Sequence, residues 1–437
     1  MRIALITDNG SPLAAPEDTY PAGPGNGLGA LAIALAGLGT QVTVYAGVPG
    51  PAGRGRPAAA ARPRRSKLCR GAVLEQLSLR AAAPSGAAGR TSTRAADRAA
   101  RDGAAPDLTA LRIRELADQL AARFQDDPPD LVHAHSWAAG VAALAGGRGL
   151  NLPQVQTFYS LAIQDGPSAG ARRARLELAL ARSARAVLVG ASAEGSVLAR
   201  LGVPQAAIRV VPPGVDTELF QPEGPAASRG GRPRLLMVVA SLAGDREPAA
   251  ALHALAAVPG AELFIAGGPP TGQLAGDPGH QALSKLAGQL GVTDRVTFTG
   301  QLTQADAPAL MRSADVLLNL SPGAPLARVT IEAMACGVPV IAISSGAHQD
   351  AVLDGTTGYL TASTQPAPLA RRIRQLLATP LREGMAIAAA SRARDRYSWA
   401  RIGTETLAVY QTAVQETAPA AGEPEPASAV GGPVDEP

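Results

Sequence analysis

Cysteine and aromatic residues are scarce in this chain of 437 residues, and their scarcity excludes several kinds of protein. The two cysteines, Cys69 and Cys336, cannot form a disulfide framework, and Cys336 lies in an apolar run where a buried thiol is expected. Aromatic residues make up 3% of the sequence, so few side chains could stack on nucleic-acid bases. Lysine is nearly absent while alanine and arginine are abundant, a bias typical of GC-rich, actinobacterial coding.

Long apolar runs are also absent from the chain. No run of about 18 apolar residues occurs, so no segment has the length and apolarity of a transmembrane helix. The first residues, MRIALITDNG, read directly as a strand rather than as a signal peptide. We therefore predict a cytoplasmic protein, soluble or at most peripheral at a membrane.

Positive charge is concentrated in one segment of the chain. Residues 51–107 carry a net charge of +8 although the whole chain has only +4, so the remainder is slightly acidic. The basic isoelectric point therefore does not indicate a nucleic-acid partner. We predict this Ala/Arg/Pro/Gly-rich segment to be a mostly disordered insertion with a short strand around 73–79. It could contact an anionic membrane surface, although it contains no amphipathic helix of the kind that binds there.

Strand-like runs alternate with helix-length segments through the rest of the sequence. This alternation predicts an α/β protein with parallel sheets covered by helices on both faces. The runs LLMVV, VLLNL and VPVIAI are apolar throughout, as expected for strands buried on both sides. The length suits two domains. We expect two doubly wound, Rossmann-like domains that face each other across a cleft.

The stretch LSPGAPLARVTIEAMACGVPVIAISSGAHQDAVLDGTTG at 320–358 places Glu332 at a predicted helix start between two apolar strands. It resembles the donor-binding signature of the retaining GT-B glycosyltransferases of family 4, E-P-F-G-x-x-x-x-E-A-M-A-x-G-x-P-V. Further matches follow in the family's order: DLVHAHSWAAG at 130–140, LPQVQTFYSL at 152–161, IRVVPPGVDTELFQP at 208–222, ADVLLNLSP at 314–322, DGTTGYL at 354–360 and YSWARIGTETLAVY at 397–410. The resemblance covers 1–50 and 108–415.

The resemblance implies a GT-B fold whose second lobe holds a nucleotide-diphosphate sugar and whose first lobe mostly holds the acceptor. It implies sugar transfer with retention of anomeric configuration, with no metal and no other cofactor, and it leaves the acceptor open. The last helix would cross back to the first lobe. We divide the chain into a first domain at 1–50 and 108–212, the insertion at 51–107, a linker at 213–233, a donor domain at 234–396, a crossing helix at 397–416 and a disordered tail at 417–437.

Four residues carry the expected donor contacts that the resemblance implies. Glu332 matches the glutamate that accepts hydrogen bonds from the ribose hydroxyls, although a first-turn carboxylate could instead only compensate a helix N-terminus. Arg246 stands where the family has a lysine that pairs with the diphosphate, and a solvated loop charge is the alternative. Gln301 and Leu302 complete the predicted donor contacts.

Other motif positions depart from the family pattern. Ala324 replaces the first glutamate of the signature and cannot accept a hydrogen bond, and Ser241 replaces the phosphate-binding arginine. Leu326 and Ala327 stand for Phe-Gly, and the loss of glycine removes conformational freedom from the loop. Tyr159 replaces a histidine, and a phenol does not carry a proton at neutral pH as an imidazole does. A catalytically impaired relative that acts through partners is therefore the alternative to an active transferase.

The sequence GPGNGLG at 23–29 resembles the family's glycine-rich loop, which makes Gly25, Asn26 and Gly27 candidate contacts to the donor phosphate or the acceptor. A dinucleotide-binding fingerprint would follow the first strand closely and would need an acidic residue after the next strand. Neither condition is met here, so this sequence does not predict a dehydrogenase.

Two histidines alternate along one predicted strand and therefore share a face. His133 and His135 could form a metal pair, but no third ligand stands nearby in the sequence, and we favour hydrogen-bonded structural roles. His135 and Trp137 lie at the carboxyl end of this strand, so we expect them near the acceptor site.

Overall fold

A computed structural model of the protein describes residues 1–8, 19–20, 27–49, 64–79, 108–163, 171–243, 246–322, 327–378, 380 and 382–416. Within these residues the chain forms two lobes, each built on a mostly parallel sheet with helices packed on it. The predicted α/β architecture of two doubly wound domains is therefore confirmed.

The first lobe contains a sheet of eight strands. They are β1 (Arg2–Thr7), β3 (Gln41–Pro49), β4 (Arg64–Cys69), β5 (Ala72–Leu79), β6 (Leu131–His135), β7 (Gln154–Thr157), β8 (Ala186–Val189) and β9 (Ile208–Val210). Their order is β4-β5-β3-β1-β6-β7-β8-β9, and every neighbouring pair is parallel except β4 and β5. A two-residue strand, β2 (Thr19–Tyr20), leaves this lobe and pairs with the other one.

Five helices accompany the first sheet: α1 (Gly27–Gly37), α2 (Leu108–Asp126), α3 (Trp137–Gly146), α4 (Ala171–Ser183) and α5 (Ser192–Arg200). Helix α1, GLGALAIALAG, is apolar on all sides and buries Leu28, Leu31 and Leu35 in the same cluster as residues of β1 and β3. The hydroxyl of Ser136 caps α3 by accepting a hydrogen bond from the amide of Ala139 at 3.0 Å.

The second lobe contains a parallel sheet of six strands. They are β10 (Arg234–Val239), β11 (Glu262–Gly267), β12 (Val296–Gly300), β14 (Val316–Asn319), β15 (Val340–Ile343) and β16 (Gly358–Thr361). Their order is β12-β11-β10-β14-β15-β16. Its helices are α6 (Arg246–Ala256), α7 (Pro278–Gln289), α8 (Ala307–Arg312), α9 (Arg328–Ala335), α10 (Ala347–Ala351), α11 (Pro366–Ala378) and α12 (Arg382–Tyr397). The strand β13 (Leu302–Thr303) pairs antiparallel with β2 of the first lobe.

The last helix, α13 (Trp399–Gln415), packs on the first lobe although it follows the second lobe in the chain. Ile402 and Tyr410 are buried in the same apolar cluster as Ile3 and Leu35. At its start, the amide of Val215 in the linker donates to the carbonyl of Tyr397 at 2.7 Å. The helix therefore connects the two lobes a second time.

The interpretation of 51–107 as mostly disordered needs correction over residues 64–79. These residues form the hairpin β4–β5, which extends the first sheet, and β5 contains the short strand predicted around 73–79. Strand β4 was not predicted because its sequence, RRSKLC, is dominated by charge, which an exposed edge strand tolerates. The remaining residues of the segment, and the predicted tail at 417–437, lie outside the described residues.

Among the described residues, no helix is both long enough and apolar enough to span a membrane.

Candidate functional site

The carboxyl ends of the second-lobe strands bring the predicted donor residues to one edge of the sheet. Ser241 follows β10, Gln301 and Leu302 follow β12, and Ala327 and Glu332 follow β14. Neighbouring strands β10 and β14 carry their connections in opposite directions along the sheet, which opens a crevice where ligands of such sheets commonly bind. Of the other predicted site residues, Gly25, Asn26, Ala324 and Leu326 lie outside the described residues.

Glu332 lies in the second turn of α9, because the helix begins at Arg328. The alternative that this carboxylate compensates the helix N-terminus from the first turn is therefore wrong. Its side chain is buried, and its oxygens have two partners: the Tyr20 hydroxyl donates to Oε2, and Nη2 of Arg328 lies 3.4 Å from Oε1. Burial raises the pKa of Glu332 from its ordinary value, and Arg328 and the Tyr20 hydrogen bond oppose that rise.

Tyr20 reaches Glu332 from the other lobe. Neither Tyr20 nor the adjacent Thr19 was predicted from the sequence as a site residue. In the pairing of β2 with β13, Tyr20 lies opposite Leu302. Nε2 of Gln301 donates to the Thr19 hydroxyl beside it. Three predicted donor contacts, Gln301, Leu302 and Glu332, are thus engaged by two residues of the first lobe.

Ala327 adopts the left-handed backbone conformation at the N-cap of α9, with φ 47° and ψ 28°. Glycine adopts this conformation freely, but alanine occupies the position. An L-residue in this region costs about 1–2 kcal/mol. Ala327 is therefore a point of backbone strain at the start of α9.

The two predicted diphosphate contacts after β10 are exposed. The hydroxyl of Ser241 accepts a hydrogen bond from the amide of Ala243 at 3.1 Å, so this short side chain is used in its own turn. Arg246 is the first residue of α6, and it forms no ion pair with any described residue. Both the phosphate-binding role and the solvated-charge role of Arg246 remain consistent with this position.

A cavity of about 90 Å³ lies at the carboxyl edge of the first-lobe sheet and faces the second lobe. Its wall is mostly apolar, and its polar and aromatic lining includes His133, His135, Thr157, Tyr159, Arg328 and Trp399. Arg328 reaches this wall from α9, so one residue contributes to both the cavity and the surroundings of Glu332.

The two histidines of β6 stack within this cavity wall, with ring centroids 3.9 Å apart. His133 contacts the Tyr410 hydroxyl at 2.5 Å through Nδ1 and the Thr157 hydroxyl at 2.9 Å through Nε2. Nδ1 of His135 contacts the Tyr159 hydroxyl at 3.0 Å, while its buried Nε2 has no hydrogen-bond partner among the described residues. Burial lowers the pKa of His135 to about 3 and the pKa of His133 well below its usual range, so both rings are neutral at pH 7.

Metal ligation by these histidines would need further ligands. Within the part of the chain that the structure describes, no group of three or more His, Cys, Asp or Glu side chains is arranged to hold a metal ion. The hydrogen bonds of His133 and His135 to hydroxyl groups account for three of their four ring nitrogens.

Trp137 does not join His135 and Tyr159 at the cavity. As the first residue of α3, it packs instead against an apolar cluster that contains Phe158 and Leu180. Trp137 is directed away from this cavity because the strand ends at His135 and the helix begins at Trp137. Its predicted place near the acceptor stays a prediction.

Gly27 lies against Trp399, a residue that sequence reasoning missed. A Cβ on Gly27 would lie 3.0 Å from Cη2 of the indole, and a Cβ on Gly214 of the linker would lie 2.3 Å from its Cδ2. These two glycines leave room for the indole at the start of α13. The described part of the glycine-rich loop is thus used for close packing.

Glu194 is a second titratable group that the sequence did not single out. It lies on α5 and accepts a hydrogen bond at 3.1 Å from the amide of Gly190, a residue that lines the cavity. Burial raises the pKa of Glu194 to about 7. Its charge therefore changes near neutral pH, and its hydrogen-bond partner Gly190 is part of the cavity wall.

Two protein-family descriptions match the chain. Residues 21–219 match "Glycosyltransferase Family 4", and residues 225–394 match "Glycosyl transferases group 1". Together the matches take in most of the chain and both lobes. Each lobe therefore matches a glycosyltransferase family, and the two-lobed fold is the GT-B fold.

Relatives of the chain include the D-inositol 3-phosphate glycosyltransferase of Mycobacterium tuberculosis (strain ATCC 25618 / H37Rv), which is 32% identical over 303 residues. That match covers 66% of this chain and 62% of the relative, so it spans less than two thirds of the relative's length.

Two solved structures share the fold of this chain. Sucrose-phosphate synthase from Thermosynechococcus elongatus superposes with a TM-score of 0.72 at 23% identity, covering 95% of this chain and 99% of the other. The Anabaena protein HepE in complex with UDP and glucose superposes with a TM-score of 0.64 at 18% identity, covering 94% and 99%.

Proposed function

We propose that the protein transfers a sugar from a nucleotide-diphosphate sugar to an acceptor, with retention of anomeric configuration and without a metal ion. The observation that carries this proposal is the convergence of Leu302, Glu332 and the start of α9 at one sheet edge, facing the first-lobe cavity. The complex of the structural neighbour HepE with UDP and glucose supports a nucleotide sugar as donor.

The start of α9 is suited to the leaving diphosphate. The first turn of a helix presents backbone N–H groups that the helix itself does not pair, and its dipole favours negative charge. Because charge develops on the diphosphate as the glycosidic bond breaks, fixed donors at this position stabilise the transition state more than the ground state. Thr330 and Ala327 belong to the buried part of this turn and hold its position.

Arg328 provides the cation that Ser241 cannot provide in our proposal. Its guanidinium lies at the first residue of α9, between Glu332 and the cavity wall, and is about one-fifth exposed. Guanidinium groups bind phosphate oxygens in a bidentate manner. Arg328 and Arg246 would then approach the diphosphate from different helices.

The acceptor occupies the first-lobe cavity in this proposal. His135 lines this cavity, and its buried Nε2 has no hydrogen-bond partner among the described residues. With a pKa of about 3, this imidazole is too weak a base to hold a proton at neutral pH, so its role is to orient a hydroxyl by hydrogen bonding. We assign no residue as catalytic base.

The test is calorimetric titration with UDP, GDP and ADP, followed by hydrolysis and transfer assays with a panel of nucleotide sugars. The acceptor panel includes D-inositol 3-phosphate, because a relative is named for it. Turnover of one donor is the expected result. Binding of no nucleotide at all would refute the donor role of the second lobe.

A second candidate function is that of a catalytically impaired relative that binds nucleotide and acts through partners. Two observations favour it: Ser241 is bonded within its own turn, and Tyr20 already occupies Oε2 of Glu332. Loss of a single electrostatic contact in an active site commonly costs about 10²- to 10³-fold in rate. Nucleotide binding without hydrolysis or transfer for any donor would support this second candidate.

A further inference from the structure

We propose that Tyr20 is an internal substitute for the donor nucleotide, held where a ribose would bind, so that a donor binds only after Tyr20 leaves Glu332. This inference rests on the proposed function, because Glu332 and Leu302 are donor contacts only if the second lobe binds a nucleotide.

The carboxylate of Glu332 has no vacant side in this conformation. Oε2 accepts the Tyr20 hydrogen bond, Oε1 faces Arg328, and the residue is 5% exposed. A ribose hydroxyl needs the same kind of contact, an O–H group that donates to a carboxylate oxygen. The tyrosine hydroxyl and a ribose hydroxyl are therefore alternatives at Oε2.

The ring of Tyr20 is buried in the second lobe although its residue belongs to the first. It is 1% exposed and lies in the same apolar cluster as Ala266, Leu310 and Ile331. Its ring centroid is 6.3 Å from that of Phe220. The tyrosine side chain, an aromatic ring with a hydroxyl group, thus occupies a buried position in the donor lobe. A nucleoside has a similar combination of ring and hydroxyl groups.

Backbone and side-chain contacts hold the segment in place. Tyr20 pairs with Leu302 and Thr19 pairs with Thr303. Nε2 of Gln304 donates to the Thr19 carbonyl at 3.1 Å, beside the bond from Gln301. These contacts join residues 301–304 of the second lobe to Thr19 and Tyr20, so displacement of Tyr20 also separates β2 from β13.

Removal of the tyrosine hydroxyl should therefore favour nucleotide binding. In Tyr20→Phe, the closed conformation leaves Oε2 buried without its hydroxyl donor, whereas a bound ribose can still supply one. The apparent dissociation constant of a ligand falls in proportion to the rise in the binding-competent fraction. We expect UDP, GDP or ADP, whichever binds the natural protein, to bind about 10-fold more tightly.

The experiment compares the natural protein, Tyr20→Phe and Tyr45→Phe by calorimetry with each nucleotide, after thermal unfolding has shown that all three are folded. Tyr45 is a matched control because it is a buried tyrosine on β3, packed edge-on against Phe124. Tighter binding by Tyr20→Phe alone supports the proposal. Equal affinities in all three proteins overturn it while leaving the proposed function intact, and binding by none of them overturns the proposed function.

Hydrogen exchange gives a second readout that does not depend on any variant. The amides of the β2–β13 pair should exchange faster when the natural protein is saturated with nucleotide, because Tyr20 and Leu302 are then separated. Unchanged protection with nucleotide bound would overturn the proposal.

Discussion

Arg328 and Glu332 lie one turn apart on α9, with Nη2 of the guanidinium 3.4 Å from Oε1 of the carboxylate. This separation is longer than the roughly 2.7–3.2 Å of a well-formed hydrogen bond, so the pair is a weak one. The guanidinium lies at the first residue of α9 and also lines the first-lobe cavity, which places it near the proposed position of the diphosphate. The relationship makes Arg328 the residue by which the proposed donor site is most directly tested.

Arg328→Leu should weaken UDP binding by about 10-fold or more, because a hydrogen bond to a charged group contributes about 1.5–3 kcal/mol. Uridine, which lacks the diphosphate, should bind the variant and the natural protein equally well. Calorimetry with both ligands measures the difference. Arg401→Leu serves as the control, since Arg401 forms an exposed ion pair with Glu405 on α13. An equal loss for uridine and UDP would show that Arg328 acts through Glu332 and not on phosphate.

The two-lobed fold could be predicted from the sequence because its signal is local. Buried parallel strands are continuous apolar runs, and VLLN and VIAI form β14 and β15 where such runs occur. The donor motif likewise directed attention to Glu332 because its residues follow one strand within a few positions.

The contacts of Glu332 could not be predicted in the same way. Tyr20 lies 312 positions from it, in a two-residue strand too short to give any periodic pattern. Arg328 stands at a variable position of the family signature, so the motif gave no reason to single it out. Trp399 was missed for a similar reason, since its partners Gly27 and Gly214 are close only in the folded chain.

Ala327→Gly should raise the free energy of unfolding by up to about 1 kcal/mol, because glycine adopts the left-handed conformation of this position without steric cost. Urea unfolding measures the change. The matched control is Ala333→Gly in the same helix, where the buried helical alanine should make the glycine variant less stable by about 1 kcal/mol. Destabilisation by both substitutions would contradict the assignment of strain to Ala327.

Stability should fall in acid because His135 must stay neutral in the folded protein. Its folded pKa of about 3 lies below the ordinary value of 6.5. The free energy of unfolding therefore has its full value with respect to this residue above about pH 6.5, and it decreases as the pH falls toward 3. At pH 5 the loss from this residue is about 2 kcal/mol. The raised pKa of Glu194 acts with the opposite sign, which makes a comparison of variants necessary.

Urea unfolding at pH 7 and pH 5 therefore compares the natural protein with His135→Gln, whose side chain retains hydrogen-bonding groups for Tyr159. The drop in unfolding free energy between the two pH values should be about 2 kcal/mol smaller in the variant. His253→Gln changes an exposed histidine of α6 and should leave the drop unchanged. An identical drop in all three proteins would show that His135 is not the group responsible.

Gly214→Ala should destabilise the protein by about 1–3 kcal/mol, as overpacking of a rigid contact usually does. The new methyl group would lie 2.3 Å from Cδ2 and 2.4 Å from Cε3 of Trp399, so the indole or the linker must move. Gly231→Ala is the matched control in the same linker, since a Cβ there meets no described residue within 4 Å. Neither glycine has a positive φ, so backbone strain does not separate the two substitutions. A lower urea midpoint for Gly214→Ala alone is expected, and equal midpoints would mean that the indole yields without cost and does not anchor the crossing helix.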